Sequence, residues 1–235
     1  MLLALTNLFS DKLIKSSYQI DHHFNGDLRR KSLEKFVNDS FKKHYQVNLN
    51  KYYPLLLNLS SKNSPDSINA VAGIRSGGEG KLFSEYYLST RLEDNAADFL
   101  QQRVIRQQIV EVGNFAPATI HDAPALFIAM IGFLYSAGYS CVVFTAVPWV
   151  CNAFKRMGLP LHLISDANPK CLPLDIQQQW GNSYYQHNPK VYMGDLSVGF
   201  QAMQKKFLNS NHRYYSLWQD ALSLGQNFNA IESAA

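Results

Sequence analysis

Between Asp122 and Lys155 the chain carries no Asp, Glu, Lys, Arg or His, and an uncharged run of that length must leave water somewhere. As one continuous helix it is long enough to cross a bilayer. The run changes character midway, however. ALFIAMIGFLY is rich in helix formers, Ala137-Gly138 interrupts it, and CVVFTAV is β-branched and strand-like. The pattern predicts a buried helix from about Ala123 to Ala137 followed by a buried parallel strand, and no stable membrane span. A strand apolar on both faces needs helices on both sides of its sheet, so the fold class expected is α/β.

The flanking sequence completes such a fold. YQIDHHF reads as a first strand, and SLEKFVNDSFKKHYQ brings Leu33, Phe36, Val37, Phe41 and Tyr45 near one helical face. YYPLLLNLS and INAVAGIRS read as two strands joined by the turn LSSKNSPDS (59–67), LFSEYYLS and ADFLQQRV as short helical pieces, and QIVEV as an apolar strand. After the uncharged run come the helix VCNAFKRMG, the strand LHLIS, a loop containing WGNSYYQHNP, the strand KVYMGDL and a helical C-terminal tail. Together these predict a mixed central sheet with helices on both faces. No repeat, linker or low-complexity tract divides the 235 residues. One domain over 1–235 is expected, large enough to bury a core without disulfides or structural metal.

Several partner classes are set aside. Lys plus Arg exceed Asp plus Glu by 22 to 18, but the surplus is scattered in short clusters such as Arg29-Arg30-Lys31 and Lys205-Lys206. Without a basic stripe or a recognition module, no nucleic-acid partner is expected. Cys141, Cys151 and Cys171 are odd in number and lack CxxC or metal-ligand spacing, which predicts buried thiols in a reducing compartment. The start MLLALTNLFSDK has no basic lead and no small-residue cleavage site, so the expected location is cytoplasmic. His22-His23 has no obvious set of carboxylates or cysteines to complete a metal site, and no metal is expected. His162 and Asp166 form an HxxxD string, but on a strand followed by a turn they are not expected to converge. SGGEGK has Leu82 where a phosphate loop needs Ser or Thr, so it reads as a flexible turn.

Glu111 is the residue most out of place, because it interrupts an apolar strand and is followed by Gly113 and Asn114, which can open a ladder or make a turn. A strand-end Glu held by its neighbours is one reading. The other is a carboxylate facing a cleft, its pKa raised by partial burial to suit general-base work, with loosened backbone offering N–H groups to an oxyanion. Arg75, at the end of an apolar strand, has three readings: it pairs with Glu111, orients an acceptor carboxylate, or ends the strand in water.

Three segments, IVEVGNFA (109–116), VFTAVPWVCNAFKRMGLPLH (143–162) and WGNSYYQHNPKVYMGD (180–195), resemble the bacterial thermostable haemolysin family. The order of elements extends the likeness to acyl-homoserine-lactone autoinducer synthases and, more broadly, to the acyl-CoA N-acyltransferase (GNAT-like) superfamily. In the autoinducer synthases a strand Glu is the proposed base and a Gly-x-Arg strand helps organise the site, which Glu111 and Gly73-Ile74-Arg75 match. The resemblance implies transfer of an acyl group from a coenzyme A or acyl-carrier-protein thioester, as co-substrate, to a small-molecule amine acceptor, with no resident cofactor. Catalytic roles fall on Glu111 and Asn114. Substrate-binding roles fall on Arg75, Val112, Gly113, Phe115, Thr145, Phe154, Trp180, Tyr184 and Tyr185.

Departures from the pattern accompany it. Asn114 stands where the synthases carry Arg, and their N-terminal substrate-binding pattern is not recognisable, so a nucleoside sulfonium co-substrate is not expected. PATIHDA (117–123) replaces the basic, glycine-rich pyrophosphate loop, leaving a helix N-terminus with Asp122 as its cap and Pro124 in its first turn. Phe154 occupies the position of a Tyr that protonates the leaving thiolate in many superfamily members. A thiol pKa of roughly 8.5 makes thiolate a stable leaving group without that acid. The family name raises one alternative to catalysis, direct membrane lysis, and Phe154 with the missing pyrophosphate loop raises another, non-catalytic binding of acyl ligands.

Overall fold

The structure, a computed structural model, describes residues 17–208 and 212–232, so the N-terminal segment MLLALTNLFSDK lies outside the described residues. Seven strands, β1 (Tyr18–Phe24), β2 (Leu55–Ser61), β3 (Ala70–Ser76), β4 (Ile109–Pro117), β5 (Cys141–Ala146), β6 (His162–Asp166) and β7 (Lys190–Asp195), form one sheet in the order β1-β2-β3-β4-β5-β7-β6. Every neighbouring pair is antiparallel except β4 with β5. The uncharged run divides as expected into α3 (Ala123–Ser136), buried along nearly its whole length, and β5. Among the described residues no helix is long and apolar enough to cross a membrane.

The two faces of the sheet follow from strand alternation. Leu55, Leu57 and Leu59 of β2 point into a core with Leu126, Phe127 and Phe133 of α3. Leu56 points the other way, into a core with Leu33, Val37 and Phe41 of α1 (Arg30–Tyr45). Both Leu56 and Leu57 are fully buried, and each such side chain contributes about 1.5–3 kcal/mol relative to exposure. A third core lies beneath α2 (Leu92–Leu100), where Leu92 and Ala96 meet Ile109 of β4 and Val143 of β5. The remaining helices are α4 (Pro148–Arg156), α5 (Leu174–Trp180), α6 (Leu196–Lys206) and α7 (Tyr215–Glu232).

LFSEYYLS forms the short helical piece expected of it, a 3-10 helix over Phe83–Tyr87. Three other local expectations need correction. The helix placed on ADFLQQRV lies earlier, ending at Leu100. Leu92 and Ala96 supply its buried stripe, which leaves QQRV outside. Trp180 belongs to α5 rather than to the loop that follows. Cys141 and Cys151 are buried thiols, whereas Cys171 is exposed at the end of a short 3-10 turn.

Close packing of α7 on α3 depends on two glycines. A Cβ at Gly132 would stand 3.1 Å from the Trp218 ring, and one at Gly225 would collide with the Phe133 carbonyl and the Ser136 hydroxyl. Backbone cannot yield as a flexible side chain does, so overpacking here costs about 1–3 kcal/mol. Gly225→Ala is therefore expected to lower the thermal unfolding midpoint by several degrees. An unchanged midpoint would contradict the α3–α7 contact.

Candidate active site

β4 and β5 pair at Ile109↔Cys141, Val110↔Val142 and Glu111↔Val143. Both strands continue beyond that point, to Pro117 and Ala146, without further pairing. The antiparallel side of β4 explains the divergence. Gly73 of β3 pairs with Gly113 and Val71 with Ala116, so β4 spends three residues where β3 spends two. This is a β-bulge, which bends its strand and increases the local twist. Asn114 occupies the bulge with φ 47°, a left-handed conformation that Asn tolerates better than most residues.

Glu111 sits where the ladder ends, and it is only 1% exposed. It lies on the face opposite α3. The backbone N–H of Phe83 donates to its Oε2 at 2.8 Å, and the N–H and hydroxyl of Ser84 donate to its Oε1 at 2.6 and 2.5 Å. The Tyr53 hydroxyl, which lines the same cavity, lies beside this carboxylate and favours its charged form. Because Ser84 gives its only proton to Glu111, Thr145 of β5 is the donor in the 3.2 Å contact between their hydroxyls. Burial raises the Glu111 pKa above the ordinary carboxylate value, and the Ser84 and Phe83 hydrogen bonds and the neighbouring Tyr53 hydroxyl oppose that shift without cancelling it.

A hollow made by Gly73 and Gly113, paired across β3 and β4, admits Tyr53 to this carboxylate. A Cβ on Gly113 would stand 2.8–2.9 Å from Cζ, Cε2 and Oη of Tyr53. A Cβ on Gly73 would stand 2.7 Å from Asn114 Oδ1. That oxygen accepts from the Tyr53 backbone N–H at 2.9 Å, so the bulge residue pins the segment leading into β2. Burial, then the Glu111 charge, raises the Tyr53 pKa well above the usual phenol range, and its hydroxyl stays protonated.

Around the strand gap lies a cavity of about 620 Å³, within the usual range for small-molecule sites. It reaches both faces of the sheet. On the Glu111 side it is lined by aromatic residues including Tyr45, Tyr53, Phe83, Trp180 and Tyr184, with Lys51, Arg75 and Lys81 among the lining cations. On the α3 side the lining is apolar, with Phe115, Phe127, Met130, Leu134, Phe144 and Phe154. Phe154 packs on Phe127 and Phe144 at centroid distances of 4.3 and 5.4 Å, so it is part of this apolar wall.

Of the residues singled out from sequence, Glu111, Asn114, Arg75, Val112, Gly113, Phe115, Thr145, Phe154, Trp180 and Tyr184 all line this cavity. Tyr185 does not: its hydroxyl bonds that of Tyr87 at 2.7 Å, and its ring packs on the core beneath α2. Arg75 stands directly opposite Glu111 in the ladder, but its guanidinium donates to the Glu79 carbonyl at 3.2 Å. Asp122 is not the side-chain cap expected of it. Its own backbone is helical, and its carboxylate accepts from Tyr18, Asn69 and Thr119. Pro124 does lie in the first turn of α3.

His162 stacks on Phe99 at 4.8 Å and Asp166 pairs with Lys190 at 2.9 Å, so the HxxxD string does not converge. Among the described residues no cluster of three or more His, Cys, Asp or Glu could hold a metal ion. Tyr53 and Ser84 were not singled out from sequence. Tyr53 is one of a Tyr-Tyr-Pro run and Ser84 one of many serines, and neither has a local pattern that marks contact with Glu111.

A model of the thermostable hemolysin family matches residues 24–200, a span that holds the whole cavity lining. The chain belongs to the thermostable hemolysin family. Its fold is similar to that of FeeM, an N-acyl amino acid synthase from uncultured soil microbes, with TM-score 0.51 and 11% identity over 81% of this chain and 98% of that one. It is also similar to BjaI, a CoA-dependent acyl-homoserine lactone synthase, with TM-score 0.52 and 11% identity over 86% and 99% of the two chains. At such identities the likeness shows a shared GNAT-like fold. No curated protein matches this family member by sequence.

Removing one donor tests the carboxylate cluster. Ser84→Ala takes away the side-chain bond that most favours the charged form, so the Glu111 pKa is expected to rise further. Carbonyl-detected NMR titration of the Glu111 carboxyl measures it. An unchanged titration would contradict the Ser84–Glu111 bond.

Proposed function

We propose that this thermostable hemolysin family protein is an N-acyltransferase. It moves an acyl group, of fatty type, from a coenzyme A or acyl-carrier-protein thioester to the amine of a small acceptor such as an amino acid. The observation that carries this reading is a cavity that crosses the sheet at the β4–β5 gap, apolar on one side, with a buried carboxylate at the crossing. The acyl chain lies against Phe115, Phe127 and Phe154, and the acceptor enters on the side of Trp180, Tyr184 and Arg75. Arg75 holds the acceptor carboxylate.

In this reading Glu111 receives the amine proton. Backbone N–H groups between Val112 and Asn114, on the edge of β4 that β5 has left, hold the oxyanion as nitrogen attacks the thioester carbonyl. Thr145 lines the opposite edge. That FeeM is an N-acyl amino acid synthase and BjaI a CoA-dependent acyl-homoserine lactone synthase agrees with the reading. The thioester is a co-substrate, and the chemistry asks for no resident metal or cofactor. An acyl-amine product is amphiphilic, which gives the family name an indirect route to lysis.

The test offers purified protein a panel of acyl-CoA and acyl-carrier-protein thioesters with amino acids, and reads acyl-amine product by mass spectrometry. Glu111→Gln, verified as folded by its melting curve, is expected to lower turnover by about 10²–10⁴-fold. Turnover unchanged in that variant would remove Glu111 as base. Dye release from liposomes by protein alone, with no product formed from any thioester, would favour direct lysis.

The pH dependence has a definite sign. A base acts when ionised, so kcat/KM is expected to fall as pH drops through the raised Glu111 pKa, with an acid limb above the ordinary 4.5. An acid limb at or below that value would contradict the buried setting of the base.

A further inference from the structure

We propose that Tyr53 is a catalytic residue that carries the proton between the acceptor amine and Glu111. The inference rests on the acyl-transfer reading above and adds to it a group that no sequence pattern marked. A carboxylate has about four lone-pair sites. Three of those of Glu111 are taken up by the Phe83 N–H, the Ser84 N–H and the Ser84 hydroxyl. The remaining one belongs to Oε2, and Tyr53 lines the cavity beside it, so a substrate amine approaching Glu111 from the cavity meets the Tyr53 hydroxyl.

The three donors themselves are poor intermediaries. The two backbone N–H groups do not exchange roles as acid and base, and Ser84 is fully buried. Tyr53 lines the cavity beside Glu111. Its hydroxyl has one proton to give to Glu111 and lone pairs that can accept from a bound amine. The ring is held in place from two directions. Gly113 leaves room for it where a Cβ would stand 2.8–2.9 Å from three of its atoms, and Asn114 fixes its backbone N–H.

The neutral amine nitrogen attacks the thioester carbonyl carbon, the C–N bond forms, and the nitrogen becomes cationic. Its proton passes to Tyr53 Oη as the Tyr53 proton passes to Glu111. The C–S bond then breaks with its electron pair on sulfur, and the proton held by Glu111 returns through Tyr53 and ends on the thiol. Amine and thioester become amide and thiol, and both side chains regain their starting states. The same hydroxyl thus supplies the proton that Phe154 lacks.

The experiment compares wild type, Tyr53→Phe, Glu111→Gln and the double variant, with the donor and acceptor found active and with melting curves for each. Tyr53→Phe keeps the ring in the glycine hollow and is expected to lower kcat by about 10²-fold or more, leaving KM for the thioester within about two-fold. Because the two groups act on one proton, the double variant is expected to be no slower than the slower single variant. Multiplied losses in the double variant, or Tyr53→Phe at the wild-type kcat, would overturn the relay while acyl transfer stands. Loss in Thr145→Val with full activity in Tyr53→Phe would route the proton through Ser84 and also overturn it. No product from wild type with any thioester would overturn acyl transfer and the relay together.

Discussion

The parallel ladder between β4 and β5 stops at Glu111↔Val143, and the geometry of the site depends on that stop. Edges of an interrupted sheet carry unpaired N–H and C=O groups, which in a closed core cost about 1–3 kcal/mol each when left without partners. Here they face a cavity. The bulge at Asn114 turns β4 away from β5 while keeping it paired with β3, so the sheet opens without losing its antiparallel half. Gly73 and Gly113 remain side by side across that half. Their missing side chains form the hollow that Tyr53 fills.

Glu111 shows how such a site is held. A buried carboxylate with no partners would give up its charge. Donors from the Phe83–Tyr87 helix offset part of that penalty, and what remains appears as a raised pKa. Hydrogen bonds to a charged group contribute about 1.5–3 kcal/mol each, so the carboxylate also organises its surroundings. It ties the 3-10 helix to β4 and aligns Ser84 with Thr145 across the gap. Buried groups with a shifted pKa beside a cavity are where chemistry concentrates.

Much of the fold could be read from the chain because its signals are local. The uncharged run divided into helix and strand at Ala137-Gly138, and all seven strands lie where alternating or apolar segments placed them. Glu111 stood out because a charge within an apolar strand breaks the local pattern. Tyr53 and Ser84 could not be found that way. Their roles come from contacts at sequence separations of 58 and 27 residues, and nothing in YYP or LFSE records such a partner. Tyr185 illustrates the converse. It lies beside Tyr184 in the chain and its ring touches that of Tyr184 at 5.4 Å, but it also packs on the core beneath α2, where its hydroxyl bonds that of Tyr87. Asp122 failed as a cap because Tyr18 and Thr119 claim its oxygens.

A cavity that crosses the sheet separates two kinds of lining, apolar against α3 and hydroxyl-rich with cations beside Glu111. If this division places acyl chain and acceptor on opposite faces, their reacting atoms meet only in the gap between β4 and β5. The most direct measurement is a crystal structure with a non-transferable thioether analogue of a long-chain acyl-CoA. The acyl chain is expected on the α3 side, against Phe115, Phe127 and Phe154, with the carbonyl mimic beside Val112–Asn114. An acyl chain bound outside the gap, or lying among Trp180 and Tyr184 with the α3 side empty, would contradict the account.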